Sequence, residues 1–133
     1  MQADTKTVSI EADPVKVARF LADPANLPRW AVGFAKSVRE EGGRWYVETG
    51  TGEMGVRIAA DEKSGVVDFW VSPATGIEAL AASRVIPRGR GSEYAFTQFR
   101  NPGTSEEAFR QSVKALEHEL AVLKALMEVE CPL

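Results

Sequence analysis

The chain is poor in the side chains that form cross-links and metal sites. Its 133 residues include one cysteine, Cys131, and one histidine, His118. A lone cysteine cannot form an internal disulfide, so the fold must rest on packing, and a reducing, cytoplasmic location is expected. Zinc sites need three or four cysteine, histidine or carboxylate ligands, which two residues well separated in sequence do not provide. We therefore expect no metal and no cofactor.

The chain also lacks long hydrophobic runs and a marked excess of charge. Its apolar runs are far shorter than the roughly 20 residues of a membrane-spanning helix. The polar start MQADTKTVSI has no apolar core of a signal peptide. Lysine and arginine number 16 against 19 acidic residues, which gives no electrostatic basis for binding nucleic acid. We expect one domain over residues 1–133, with no membrane insertion and no nucleic-acid partner.

The first 30 residues predict a strand and two short helices. Residues 6–12, KTVSIEA, alternate apolar and polar side chains as a half-buried strand does. Asp-Pro at 13–14 then supplies an N-cap and a first helical residue, and helical spacing of apolar residues continues to about Ala22. Asp-Pro at 23–24 repeats the signal, but the next proline limits the second helix to a turn or two, ending near Trp30.

From residue 34 onward the sequence predicts six antiparallel strands. Glycine or proline marks every break between them, and each break is short, as in β-hairpins rather than crossover connections. The predicted strands are FAKSVREE, RWYVETG, EMGVRIAAD, VVDFWVS, IEALAASRVI and SEYAFTQF.

A long amphipathic helix is predicted to close the chain. Thr104 and Glu107 fit the capping-box pattern at its start. Apolar side chains then recur at spacings of four and three, which places them in one stripe that a curved sheet with one apolar face could bury. The stripe consists of Phe109, Val113, Leu116, Leu120, Leu123 and Met127.

This order of elements, together with the segments DPANLPRW, GGRW and SEEAFRQSVKALEHELAVLKALM, resembles the SRPBCC superfamily. That group includes START lipid-transfer domains, birch-pollen-allergen-like proteins and bacterial proteins similar to polyketide cyclases and dehydrases. The resemblance covers about residues 7–127. It implies an α+β helix-grip fold, in which a seven-stranded curved antiparallel sheet wraps around the long C-terminal helix. It also implies a deep cavity whose mouth the two short helices close, with Trp30 at the rim.

Strand alternation independently selects the side chains that face the helix. The inner set of one strand is Ala79, Ala81 and Ser83, and such small side chains leave room that neighbouring rings need not fill. Ser83, Tyr94 and Gln98 are the polar inner residues that could orient a ligand. The predicted ligand-binding residues are Trp30, Phe34, Val47, Met54, Val56, Phe69, Val71, Ala81, Ser83, Tyr94, Phe96, Phe109 and Val113.

Two alternatives leave no room for a ligand. Trp30 and Phe20 could simply be a hydrophobic plug at the end of the sheet, since large rings are commonly core residues. Leu116 and Leu120 could likewise close against the alanines of the inner face. Under either alternative the interior is filled by the protein's own side chains.

No catalytic residue is assigned from the sequence, and whether the protein is an enzyme stays open. His118 is expected on the solvated side of the last helix. Asp68 faces outward if Phe69 faces inward, and could then pair with Arg57 or Arg84; the reverse register would place Asp68 inside.

Three functions are compatible with the sequence. The favoured one is binding of a small hydrophobic ligand, of lipid, polyketide or aromatic type, between sheet and helix. The second is a cyclase or dehydratase that uses an inward carboxylate, Asp68 or Glu48, whose pKa burial would raise. The third is a protein-interaction module with a solid core and an exposed apolar patch. The sequence names neither the ligand nor the oligomeric state.

Overall fold

The computed structural model describes residues 2–74 and 76–133 and has the predicted α+β architecture. Seven strands form one antiparallel sheet in the order β1-β7-β6-β5-β4-β3-β2, and α1 and α2 follow the first strand. The helix-grip prediction is therefore confirmed. The elements are β1 Ala3–Ile10, α1 Pro14–Ala22, a 3-10 turn Pro24–Asn26, α2 Leu27–Trp30, β2 Ser37–Glu41, β3 Arg44–Thr49, β4 Gly52–Asp61, β5 Val66–Pro73, β6 Ala79–Arg88, β7 Gly91–Phe99 and α3 Glu106–Glu130.

The strand register places the predicted inner residues on one face. Phe69 of β5 lies opposite Ile58 of β4 and Ala81 of β6, so these three side chains share the concave surface. Asp68 pairs with Ala59 and Ala82 on the convex surface. The outward register of Asp68 is thus confirmed, and the reverse register is wrong.

Capping side chains fix α1 and the 3-10 turn that follows it. Asp13 accepts a hydrogen bond from the Lys16 amide at 3.1 Å, and Asp23 accepts one from the Ala25 amide at 3.0 Å. The second helix is split, because a 3-10 turn precedes the single turn of α2 that ends at Trp30. The chain then forms a loop, so that β2 begins at Ser37 rather than at residue 34.

The long helix begins one residue later than the capping-box pattern indicates. Ser105 has extended torsions, and its hydroxyl accepts the Ala108 amide at 3.0 Å. Thr104 is therefore not the N-cap, and its carbonyl instead accepts a bond from the Arg100 guanidinium at 2.9 Å. In the described residues, no helix is both long and apolar enough to cross a membrane.

Replacing Gly65 by alanine should destabilise the fold strongly. Gly65 has φ +79°, and a Cβ there would lie 2.0 Å from the Val85 carbonyl oxygen. Because the obstacle is backbone, we expect the free energy of unfolding to fall by about 3 kcal/mol or more in urea denaturation. Gly43 has the same φ with open space around it, so Gly43→Ala isolates the torsional cost of about 1 kcal/mol. Equal losses in the two variants would contradict the steric explanation.

Candidate functional site

The concave face of the sheet is closed at one end by α1. This helix packs across the ends of β4, β5, β6 and β7 and buries Val17, Ala18 and Leu21 there. An ion pair of 2.6 Å between Arg19 and Glu62 ties the outer side of α1 to the β4–β5 turn. The helix α1 therefore seals this end of the sheet, whereas α2 packs against α3 and β2.

The inner side chains of β5, β6 and β7 become more exposed with distance from α1. On β5, Val67 is 0% exposed, Phe69 is 4% exposed and Val71 is only partly buried. The same order is found on β6 and β7, but not on β4, where Ala60 is exposed and Val56 is buried. The order runs through Val85 (1%), Ser83 (7%), Ala81 and Ala79 on β6, and through Tyr94 (0%), Phe96 (8%) and Gln98 on β7.

The long helix covers only part of this face. Its stripe from Leu116 to Met127 belongs to the hydrophobic core, but Phe109 and Val113 lie outside that core cluster. On the sheet, Ala81 packs against the cluster, whereas Val71 and Ala79 do not. The first two turns of α3 and the far ends of β5 and β6 thus form an open end outside the shared cluster, where Val71, Ala79 and Val113 are partly exposed, although Phe109 is only 4% exposed.

Side chains fill the closed end. The indole ring of Trp30 lies 6.0 Å from the Phe69 ring, 6.5 Å from the Tyr94 ring and 6.4 Å from the Phe96 ring, measured between centroids. Trp30 is 2% exposed. Trp30 therefore does not lie at the rim of a mouth, and the position that the sequence resemblance implied for it is wrong. The single turn of α2 points its ring into the core, where it acts as the plug of the alternative interpretation.

The Trp30 indole also carries an unsatisfied polar atom. Its Nε1–H is buried and has no hydrogen-bond acceptor among residues 2–74 and 76–133. A buried donor without an acceptor costs about 1–3 kcal/mol, so this group is a local weakness in an otherwise apolar cluster.

Tyr94 and Ser83 form a buried hydrogen-bonded pair beside these rings. The Tyr94 hydroxyl donates to Ser83 Oγ at 2.9 Å, and Ser83 Oγ donates to the Val67 carbonyl at 2.5 Å. Burial raises the pKa of the Tyr94 phenol, although the hydrogen bond with Ser83 offsets part of the effect. Both hydroxyl protons are therefore committed within the protein, and neither is free to donate to a ligand.

Most of the predicted ligand-binding residues lie together on the concave side. Val47, Val56, Phe69, Tyr94 and Phe96 are in the buried core, and Phe34, Met54 and Ala81 pack against it partly buried. Gln98 donates from its Nε2 to the Ser112 carbonyl at 3.3 Å, which links β7 to α3 near the open end. The remaining predicted residues are Trp30 and Ser83 near the closed end, and Val71, Phe109 and Val113 at the open end.

The candidate carboxylates face away from this interior. Glu48 is exposed and Asp68 lies on the convex surface. The expected ion pair of Asp68 is not formed, because Arg57 pairs with Glu78 at 3.0 Å and Arg84 donates to the Ser64 carbonyl. His118 is exposed, as predicted. Within the part of the chain that the structure describes, no three potential metal ligands lie close enough together to hold an ion.

Glu119 is a buried carboxylate that the sequence analysis missed. It accepts hydrogen bonds from the Gly33 amide at 3.0 Å and the Phe34 amide at 3.1 Å, and so fastens the loop after α2 to α3. Burial raises its pKa, and the two amide hydrogen bonds and the Lys36 charge offset part of that rise. A signal was present, since Glu119 follows Leu116 by three residues and precedes Leu123 by four, which places it on the apolar stripe.

Two surface depressions lie away from the concave face. One, of about 310 Å³, is bounded by the start of α1, the β4–β5 turn and β6. The other, of about 360 Å³, is bounded by Gln2 and the loop from Arg100 to Thr104. Neither contains the predicted ligand-binding residues.

The fold matches many solved structures, although the chain matches no protein-family model and no curated protein sequence. XoxI from Bacillus cereus is 18% identical, with 96% of each chain covered and a TM-score of 0.75. A START superfamily protein from Mycobacterium smegmatis is 14% identical over 95% of this chain and 97% of that one, with a TM-score of 0.69.

A third match is the di-domain ARO/CYC protein BexL from the BE-7585A biosynthetic pathway. It is 21% identical over 94% of this chain and 46% of its own length, with a TM-score of 0.71. The chain therefore shares its fold with these proteins, and this is the helix-grip fold that the sequence resemblance implied.

Replacing Glu119 by glutamine should change how stability depends on pH. The pKa of Glu119 is raised above its ordinary value of 4.5, so the folded state binds this proton more tightly than the unfolded state does. Its contribution to stability is fully present below about pH 4.5 and is lost as pH rises through the raised pKa. The free energy of unfolding of the parent, minus that of Glu119→Gln, should therefore fall as pH rises above about 4.5 in urea titrations.

The control for this experiment is Glu117→Gln, because Glu117 is an exposed carboxylate on the same helix, where it pairs with Lys6 at 3.7 Å. That variant removes one carboxylate of α3 and leaves the hydrogen bonds of Glu119 to Gly33 and Phe34 in place. Parallel curves for Glu119→Gln and the parent would show that the buried carboxylate does not titrate as described.

Proposed function

We propose that the protein binds a small, uncharged hydrophobic molecule at the open end of the concave face, between β5, β6 and β7 and the first two turns of α3. The observation that carries the proposal is the rise in exposure of the inner side chains from Val67, Val85 and Tyr94 toward Val71 and Ala79. Apolar side chains that face inward yet stay outside the core cluster provide a surface that a guest could bury.

The closed end limits how deep a guest can go. Trp30, Phe69, Tyr94 and Phe96 occupy that end as a packed group of rings. A guest would lie against the outer members of this group, Phe69 and Phe96, and would extend toward Ala79. Ala79 and Ala81 point to the same concave face, and their small side chains leave space there for the guest.

The enzymatic alternative has less support. A cyclase or dehydratase with an inward acid-base carboxylate would need Asp68 or Glu48 on the concave face, and both lie on the opposite side. The buried carboxylate Glu119 accepts two backbone amides of a loop, which suits an anchoring role. The match to BexL therefore supports a shared fold and carries no reaction over to this chain.

The interaction-module alternative requires an exposed apolar patch. Among the described residues, the most exposed large apolar side chains are Ile77 at 88% and Val129 at 80%. Ile77 precedes β6 at the open end, whereas Val129 is at the end of α3 beside the bridge from Ala12 to Pro132. These two side chains lie at opposite ends of the sheet and cannot belong to one compact patch.

Filling the open end should abolish binding of an apolar probe. We expect the parent to bind the uncharged dye 1-aminoanthracene, with enhanced and blue-shifted fluorescence, because the dye leaves water for an apolar surface. Ala81→Phe adds a ring to the concave face and should weaken this binding by about tenfold or more.

Ala82→Phe is the matched control. Ala82 is the next residue on the same strand, is also partly exposed and pairs with Asp68 on the convex face. Its dye affinity should stay within about twofold of the parent. Urea unfolding would establish that both variants are folded, and equal effects of the two substitutions on dye affinity would refute the site.

A further inference from the structure

The Trp30 indole N–H is a hydrogen-bond donor that the described part of the protein leaves without an acceptor. It sits within the ring group that ends the proposed binding surface, with Phe69, Tyr94 and Phe96 around it. Buried indole N–H groups usually have a partner. Its lack of one at this location suggests that the partner is supplied from outside the chain.

The hydroxyl and amide groups on the inner faces of β6 and β7 are already engaged. Tyr94 donates to Ser83 and Ser83 donates to the Val67 carbonyl. Gln98 donates to the Ser112 carbonyl of α3. These bonds use the hydroxyl protons and one amide proton within the protein, so Trp30 is the donor in the ring group that has no acceptor.

We infer that Trp30 recognises a carbonyl oxygen on an uncharged ring compound, which the indole N–H binds while Phe69 and Phe96 contact the ring. This inference rests on the proposed function and specifies the class of ligand. A carbonyl brings an acceptor and no proton of its own, so it satisfies Trp30 without introducing a new buried donor. A carboxylate or phosphate is disfavoured because the inner positions of β4 to β7 carry no cationic side chain, and Lys6, which lies opposite Phe96 on β1, is already paired with Asp4 at 3.4 Å and Glu117 at 3.7 Å.

Entry of the guest must loosen the ring group, since Trp30 is 2% exposed and its Nε1 is inaccessible in the structure. The ring of Phe96, which is 8% exposed, is the more accessible neighbour. A guest ring that displaces Phe96 toward the open end would bring its carbonyl within reach of the indole. The lost contacts between side chains would be replaced by contacts with the guest, together with one new hydrogen bond.

A pair of shape-matched probes tests the inference. 2-Acetylnaphthalene carries a ketone oxygen, and 2-ethylnaphthalene has a similar shape without an acceptor. Both should displace 1-aminoanthracene from the parent. The ratio of ketone affinity to hydrocarbon affinity should be about tenfold higher in the parent than in Trp30→Phe. Comparing the ratio in parent and variant removes the different water solubilities of the two probes.

A second measurement uses the unmodified protein. The Trp30 indole N–H signal in a proton-nitrogen correlation spectrum should move downfield with 2-acetylnaphthalene and much less with 2-ethylnaphthalene. The signal can be assigned by its loss in Trp30→Phe. If that variant does not fold, Trp45→Phe and Trp70→Phe assign it by elimination, because the chain has three tryptophans.

The outcomes separate the inference from the proposed function. The same ratio of ketone affinity to hydrocarbon affinity in the parent and in Trp30→Phe would overturn the role of Trp30 while leaving the hydrophobic site intact. Failure of both probes and of the dye to bind would overturn the site itself. A ketone preference that is lost in the variant, with the matching indole shift, would support both.

Discussion

The packing of the second half of α3 against the sheet is the contact on which the rest of the structure depends. Leu116, Leu120, Leu123 and Met127 are almost fully buried there, and each such side chain contributes roughly 1.5–3 kcal/mol on burial. Polar contacts hold the same half of the helix in place. For example, Lys124 donates to the Ser9 carbonyl at 2.9 Å. The helix is therefore fixed along the closed end of the sheet.

This one-sided attachment explains why the other end is open. α3 approaches β1 and α2 most closely, so its axis does not follow the middle strands along their full length. The first two turns carry Phe109 and Val113, which continue the stripe outside the core cluster, although Phe109 is only 4% exposed. A helix that joins this cluster only along its second half gives the concave face a sealed end and a more accessible end.

Strand alternation then determines the chemistry of that face. Because successive side chains of a strand point to opposite sides, the pairing of Phe69 with Ala81 fixes the inward set of both strands at once. A one-residue slip would place Asp68 and Ala82 inside. The hydrogen bonds of the hairpins therefore decide that the inner faces of β5 and β6 are uncharged, and also that the two candidate carboxylates lie outside.

Much of the fold could be predicted from the sequence because its signals are local. Alternation identified the inner faces of the strands, and Asp-Pro at 13–14 and 23–24 identified the short helices. The start of α3 was misplaced by one residue because Thr104 and Ser105 are both good N-caps, and the choice between them depends on the path of the chain after β7.

The site was less predictable because its features depend on tertiary contacts. The burial of Glu119 depends on the loop that carries Gly33 and Phe34, which approaches α3 only in the folded chain. Trp30 was expected at a rim because the family resemblance implied that position. The local sequence gives no signal for the direction of a large ring at the end of a short helix. That direction is set by the neighbouring rings of β5 and β7.

Trp30 and the loop bound by Glu119 belong to one short segment, residues 27–36, between the sealed end and β2. The segment is held from both sides, because α2 packs on α3 and Arg29 forms an ion pair with Glu130. It can therefore keep the indole ring in the core even though the N–H lacks an acceptor, because the loss of one hydrogen bond is smaller than the loss of the packing around the ring. An acceptor brought by a guest would remove that deficit without dismantling the anchors, so occupancy of the face and order in this segment should be coupled.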